Sequence, residues 1–335
     1  GAGTFSLPVK LLLILLPLLA LITALLVGRM SISPADAAKS FLNLFTNGNW
    51  KNTQTDQVLW NMRLPRVLLA ALVGAGLSVA GCAFQSLFSN PLATPDTLGV
   101  ASGASFGAVL GLLLGVGLIG VQLLALGFGV IAVALTWISG SGRGRGMNTI
   151  VLAGIMIGSL FTALVSLVKY MADTESQLPA ITYWLMGSLN SAAFSSLALG
   201  APPIIIGILI LFLLRWRLNI LSLPEDEARS TGTNIRALRI ATVLCATAIT
   251  ASCVSMCGQV GWVGLLIPHI CRMKFGANHL SLIPASISIG AVFMILVDTL
   301  ARSVSASEIP ISILTAMIGA PFFIVLMRRS GGWQI

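Results

Sequence analysis

Asp298 is the only acid of this chain that falls inside an apolar run, and Arg302 follows it four residues later. On a helix that spacing puts both on one face, where they can pair. Ionisable groups within membrane spans mark ion paths and proton relays, and a single acid is a meagre endowment for a relay. His269 and His279 fall at or near the ends of apolar runs, where a neutral histidine caps or hydrogen-bonds a helix end. The cysteines, Cys82, Cys245, Cys253, Cys257 and Cys271, lie within or at the edges of apolar segments and contain no C-x-x-C pair. They read as small buried hydrophobes rather than a disulfide framework or a metal site. No lysine follows a glycine, so the chain has no phosphate-binding G-x-x-x-x-G-K-[ST] loop, and H-E-x-x-H and G-x-S-x-G are absent too. Any energy source for work done by this chain must therefore lie outside it.

The elements that position these residues are dictated by composition. Of 335 residues 56% are hydrophobic and 9% charged, with a mean hydropathy of +0.97. A soluble domain has roughly 25% charged residues, so a water-soluble enzyme is excluded, and so is disorder. Apolar runs near 9–28, 67–88, 97–115, 118–140, 148–171, 193–214, 238–257, 259–273, 281–303 and 310–327 predict an all-α polytopic membrane protein of about ten transmembrane helices. The run at 259–273 is short for a span. The 9–28 run exceeds the length of a signal-peptide core and reads as the first span. We treat residues 1–335 as one transmembrane domain.

The net charge of +9 is scattered in twos and threes at the ends of apolar runs rather than gathered in a stripe, which argues against nucleic acid as a partner. Ten spans put both termini on one side. If that side is cytoplasmic, twelve basic residues lie inside and seven outside, and five of the seven fall in the long loop 29–66. Both termini inside is the orientation that agrees with the positive-inside rule. Within 29–66, Ser33-Pro34 followed by Asp36 marks a helix start. Ala37, Phe41, Leu44 and Phe45 then give it one apolar face, predicting a short amphipathic helix at the membrane surface.

Gly99, Gly103, Gly107, Gly111 and Gly115 recur at spacing four, the small-xxx-small pattern of close helix approach. Two stretches break the helical pattern at membrane depth, 89–95 (Ser-Asn-Pro-Leu-Ala-Thr-Pro) and 261–269. Each follows an apolar helix opened by arginines, Arg63-Leu64-Pro65-Arg66 in one case and Arg236 with Arg239 in the other. This has the form of an inverted repeat, which transporters use around a central pathway. The segment 215–237 is charged. Pro224 breaks a helix there, Glu225-Asp226-Glu227 open another at its positive end, and Gly232 stops it. It reads either as two short helices forming a compact knob or as a solvated connection.

Together these residues resemble the BtuC/FecCD family of ABC importer permeases (vitamin B12, haem and ferric-chelate type). The resemblance covers the whole chain. It rests on Arg63-Leu64-Pro65-Arg66, Gly81, Gln85, Asn90-Pro91-Leu92-Ala93 with Pro95 and Leu98-Gly99, Gly264-Leu265, Pro268-His269, Arg272, Asp298–Arg302 and Gly319-Ala320-Pro321-Phe322. It implies a type II importer fold in the bacterial inner membrane and a second copy of the same chain. It also implies two separate ATP-binding cassette subunits that use ATP and magnesium, and a periplasmic substrate-binding protein. This chain itself would be no enzyme and would bind no cofactor.

Carried over by position, Asn90 and Leu92 match the inner gate of the pathway, with Met147 and Asn148 as a second constriction. Glu227, Ala228 and Gly232 match the loop that sits on the ATPase. Arg63, Arg66 and Arg302, which by position alone read as membrane-end anchors, match outer arginines that receive acidic side chains of the binding protein. The pathway lining is expected to be small and apolar. Overall similarity leans toward the molybdate/tungstate branch, with ferric siderophore, haem and cobalamin as the alternatives and a secondary transporter as a more distant one.

Overall fold

We describe a computed structural model of the chain, covering residues 5–46, 53–142, 147–304 and 307–329. Lys51, Arg143 and Arg145, used above to assign orientation, lie outside the described residues. Every one of the ten apolar runs forms a helix, and no strand occurs among the described residues. In chain order they are α1 (Leu7–Leu26), α2 (Pro34–Thr46), α3 (Gln54–Asp56), α4 (Leu64–Leu87), α5 (Val100–Leu113), α6 (Leu118–Gly140) and α7 (Met147–Met171). There follow α8 (Gln177–Leu185), α9 (Phe194–Leu221), α10 (Glu225–Ser230), α11 (Ile235–Cys257), α12 (Val263–Phe275), α13 (His279–Ser303) and α14 (Ile311–Arg329). Seven are long and apolar enough to cross a membrane, whereas α5 and α12 are distinctly shorter.

Nearly all of α4 is buried, and α9, α11, α12 and α13 pack around it. Its composition explains this position. A Cβ at Gly74 would lie 2.1 Å from the Gly290 carbonyl oxygen of α13, and one at Gly81 would lie 1.9 Å from the Gly264 carbonyl oxygen of α12. Without a hydrophobic drive between helices in lipid, such backbone proximity and its dispersion contacts are what join them. In the glycine series of α5, Gly103 and Gly107 press on the backbone of α6 at Phe128 and Leu124. By contrast α1 and α7 leave large apolar residues exposed, among them Leu15, Leu18, Leu152 and Met156, as lipid- or partner-facing helices do. All five cysteines are free and buried.

At the end of the bundle where α1 stops, Ser33 caps α2 by accepting from Asp36 N (3.1 Å) and donating to its carboxylate (2.6 Å). Phe41 of α2 stacks on Trp60 at 6.1 Å. Residues Gln57–Arg63 form a π-helical turn leading into α4. It falls just before Pro65, which has no amide and crowds the carbonyl four residues back. α8 is an addition to the sequence-based picture, which named no element between the runs 148–171 and 193–214. The opposite end carries α10, the 88–99 connection and the start of α13.

Candidate functional site

At the α10 end, α4 stops and the chain turns through Ser89–Thr97 before α5 begins. Asn90 makes this turn. Its side-chain oxygen accepts from Leu92 N (2.9 Å), and its carbonyl accepts from Ala93 N (3.1 Å). Gln85 of α4 donates to the carbonyls of Ala93 and Gly264 (both 3.3 Å) and accepts from the Arg272 guanidinium. The two broken stretches therefore meet directly, and a Cβ at Gly264 would lie 2.4 Å from Pro95. Gly99, at φ +74°, opens α5, and the Asp96 carboxylate accepts from Ala101 N (2.8 Å) at that helix start. Trp262, at φ +70°, opens α12 and lays its ring on Gly319 of α14.

Between this turn, the start of α5 and one face of α7 lies a cavity of about 570 Å³. Asn90 and Leu92 both line it, with Leu92 53% exposed, opposite Val151, Gly154 and Ile155 of α7. Gly154 is where the walls touch: its Cβ would lie 2.2 Å from the Thr97 carbonyl oxygen. Met147 and Asn148 sit one turn before Val151 and do not line the cavity, and Met147 packs on the core. The lining of this cavity is mixed rather than purely apolar. Thr97, Ser102, Ser159 and Thr162 add hydroxyls, and Asp96 adds a carboxylate. Ser159 and Thr162 donate to the carbonyls four residues back (both 2.9 Å), so their oxygens are offered as acceptors.

At the same end α10 is a single helix of six residues, not the two that the composition of 215–237 allows. It starts after Pro224, as expected, and ends at Ser230, with Gly232 at φ +71° just past its cap. Glu227 is exposed, whereas Ala228 is turned inward at 3% exposure, so the three residues do not form one contact face. Asn234 then caps α11 by accepting from Ala237 N (3.0 Å). Nearby, His279 is a helix-end residue whose ring pairs with Asn219 (2.8 Å), in keeping with the bland reading of the histidines.

At the far end the three arginines come together, but they do not stand out as free arms. Arg63, Arg66 and Arg302 are 5%, 9% and 7% exposed. Arg63 donates to the carbonyls of Leu25 (2.7 Å), Leu26 (3.1 Å) and Met30, and Arg302 donates to that of Ala24. Both thus neutralise the carbonyl-rich C-terminus of α1, in space that Gly28 leaves open. Arg66 holds Asp298 through two nitrogens (2.9 and 2.8 Å) and Glu308 through a third (2.9 Å). Asp298 thus pairs chiefly with Arg66 across the bundle. Its helix neighbour Arg302 is 3.7 Å away. A second cavity of about 310 Å³ opens among Arg63, Arg66, Arg302, Glu308 and Asn190. Sequence reasoning missed Glu308, because nothing in local spacing ties it to Arg66 on the far side of the fold.

A broken, glycine-tight crossing beside a polar cavity is a transporter's anatomy, and comparison with known proteins says which kind. The family model described as the FecCD transport family matches residues 13–329. The chain belongs to the FecCD transport family. It is 42% identical to the molybdate import system permease protein MolB of Haemophilus influenzae, over 94% of each chain. It is 38% identical to the hemin transport system permease protein HmuU of Yersinia pestis, over 83% of this chain and 86% of that one. Among solved structures, an inward-facing metal-chelate type ABC transporter matches with a TM-score of 0.87 at 39% identity, covering 97% of this chain and all of that one. The FecCD chain described here is thus a multi-pass permease of an ABC importer. Permeases of this family work with separate ATPase subunits and a binding protein.

Proposed function

We propose that this chain is the permease of a binding-protein-dependent importer of molybdate or tungstate, acting as a homodimer in the bacterial inner membrane. The observation that supports this cargo most is the 42% identity, along nearly the full length of both chains, to a molybdate permease. In this reading both termini and α10 face the cytoplasm, and the arginine cluster faces the periplasm. Two ATPase subunits that bind ATP and magnesium press on α10 and the segment around it. Asn90 and Leu92 close the pathway at its inner end, with Met147 and Asn148 bracing α7 from the turn below. The arginine cluster receives acidic side chains of the binding protein. No covalent step occurs in this chain.

Elemental analysis of cells with and without the gene, grown with molybdenum, tungsten, iron and cobalt all scarce, tests the cargo. Loss of the gene is expected to lower molybdenum and tungsten selectively. A fall in iron or cobalt alone would transfer the assignment to a chelate, haem or cobalamin. For the ATPase contact, Glu227→Lys reverses an exposed charge on α10 without touching a buried residue. Co-purification of the ATPase subunits should drop several-fold at low salt and recover partly when salt screens the repulsion. Full co-purification at every salt concentration would place the contact elsewhere.

A further inference from the structure

We propose that Glu308 is a stand-in carboxylate. It occupies, on Arg66, the place that an acidic side chain of the binding protein takes on docking, and docking exchanges one for the other. The inference rests on the docking role proposed above and adds to it an internal competitor.

The two acids of the cluster are not equivalent. The Asp298 side chain is 1% exposed and is held by two nitrogens of Arg66, whereas that of Glu308 is 19% exposed and lines the 310 Å³ cavity. Glu308 stands on the irregular chain before α14, and a single oxygen meets Arg66 (2.9 Å). Its second oxygen, Oε2, is buried without a hydrogen-bond partner, and so is Nε of Arg302. The same cluster thus holds a half-satisfied carboxylate, and Arg302 Nε faces only Asp298 Oδ2, 3.7 Å away and beyond hydrogen-bond distance.

Charge points the same way. Arg29, Arg63, Arg66 and Arg302 line the cavity with four positive charges, against the two negative charges of Glu308 in its wall and Asp298 beneath. Arg63 is spent on neutral carbonyls at the end of α1. A carboxylate entering the cavity therefore meets net positive charge and guanidinium donors that are already oriented. Replacing Glu308 on the outward nitrogen of Arg66 substitutes one charge-assisted hydrogen bond for another. Desolvation of the arginine is incurred once, by Glu308, when the chain folds. Exchange is then close to balanced, which suits a partner that must bind and leave in every transport cycle. A bare Arg66 would instead grip any acid that reached it.

The test uses the full permease–ATPase complex in lipid nanodiscs and the purified binding protein encoded with it, with affinity measured at low and high salt. Glu308→Gln removes the competing charge and is expected to tighten binding about two- to fivefold at low salt, the scale of one partly exposed ion pair. Glu308→Asp keeps the charge but shortens the reach to Arg66 and should tighten it less, which guards against a Gln variant that assembles poorly. Arg66→Gln should weaken binding. If Arg66→Gln weakens binding while both Glu308 variants leave it unchanged or weaken it, Glu308 merely positions Arg66 and the stand-in role is overturned. If Arg66→Gln leaves affinity intact, the docking role itself fails, and the exchange fails with it.

Discussion

Replacing Asp298 with alanine is expected to destabilise the chain by about 3–5 kcal/mol, the usual cost of stripping one partner from a buried ion pair. Two arginines would be left in place, 9% and 7% exposed, and of the acids paired with Arg66 among the described residues Glu308 alone would remain. A Gly74–Gly290 backbone contact clamps α4 to α13, so both guanidiniums stay where the lost carboxylate held them, with only the adjoining cavity to supply solvent. Folded yield after solubilisation and the temperature at which the monodisperse peak is lost would both fall sharply. Asp298→Asn keeps an acceptor for Arg66 and should fall less. An alanine variant as heat-stable as the parent would show that water in the adjoining cavity compensates the arginines. The same geometry removes the appeal of Asp298 as a proton carrier: it is sealed beneath its counter-charges and has no contact with the cavity at the opposite end.

The second large effect concerns Gly81. Its missing Cβ would sit 1.9 Å from the Gly264 carbonyl oxygen, and the obstruction is backbone rather than a side chain that can swing away. Gly81→Val should therefore exceed the usual overpacking cost of about 1–3 kcal/mol, because α12 must move as a body. The same movement would pull the Gly264 carbonyl away from Gln85 and loosen the turn at Asn90. Transport is expected to be lost together with most of the folded protein, and Gly81→Ala should show a milder form of both. Gly127→Ala makes the matched control, since nothing lies within 4 Å of its Cβ position. There the change should be neutral or slightly stabilising, as for an ordinary helix glycine. A well-folded Gly81→Val would mean that the α4–α12 contact has slack, and the crossing would no longer count as a rigid element.

These cases show what the residues disclosed by themselves. The spans were legible because each is a local run of apolar residues, and so were the stops at Pro224 and Gly232 and the Ser33 cap of α2. α8 was missed because Gln177–Leu185 is only nine residues and contains Pro179, so it has neither the length nor the clean periodicity of a span. The turn at Asn90 was readable from its Asn-Pro pair. The hydroxyls of Ser159 and Thr162 were hidden in an apolar helix, and only the path of the 89–97 chain shows which face of α7 they share. The arginines illustrate the limit most plainly. Their positions at helix ends were evident, but their partners lie 232 and 242 residues away in the case of Arg66. No window along the sequence could reveal that they were already engaged.

The burial of every native thiol makes the chain a convenient subject for spectroscopy. A maleimide or nitroxide reagent should find almost nothing to modify on the folded protein, so the parent sequence can serve as its own blank. One cysteine placed at Leu92, which is more than half exposed at the mouth of the larger cavity, would be the sole bright position per subunit. In the homodimer proposed above, the two labels would report on each other across the subunit interface. Their separation, followed as nucleotide is added and hydrolysed, would test the inner gate proposed at Leu92, without first removing five residues from the packed interior.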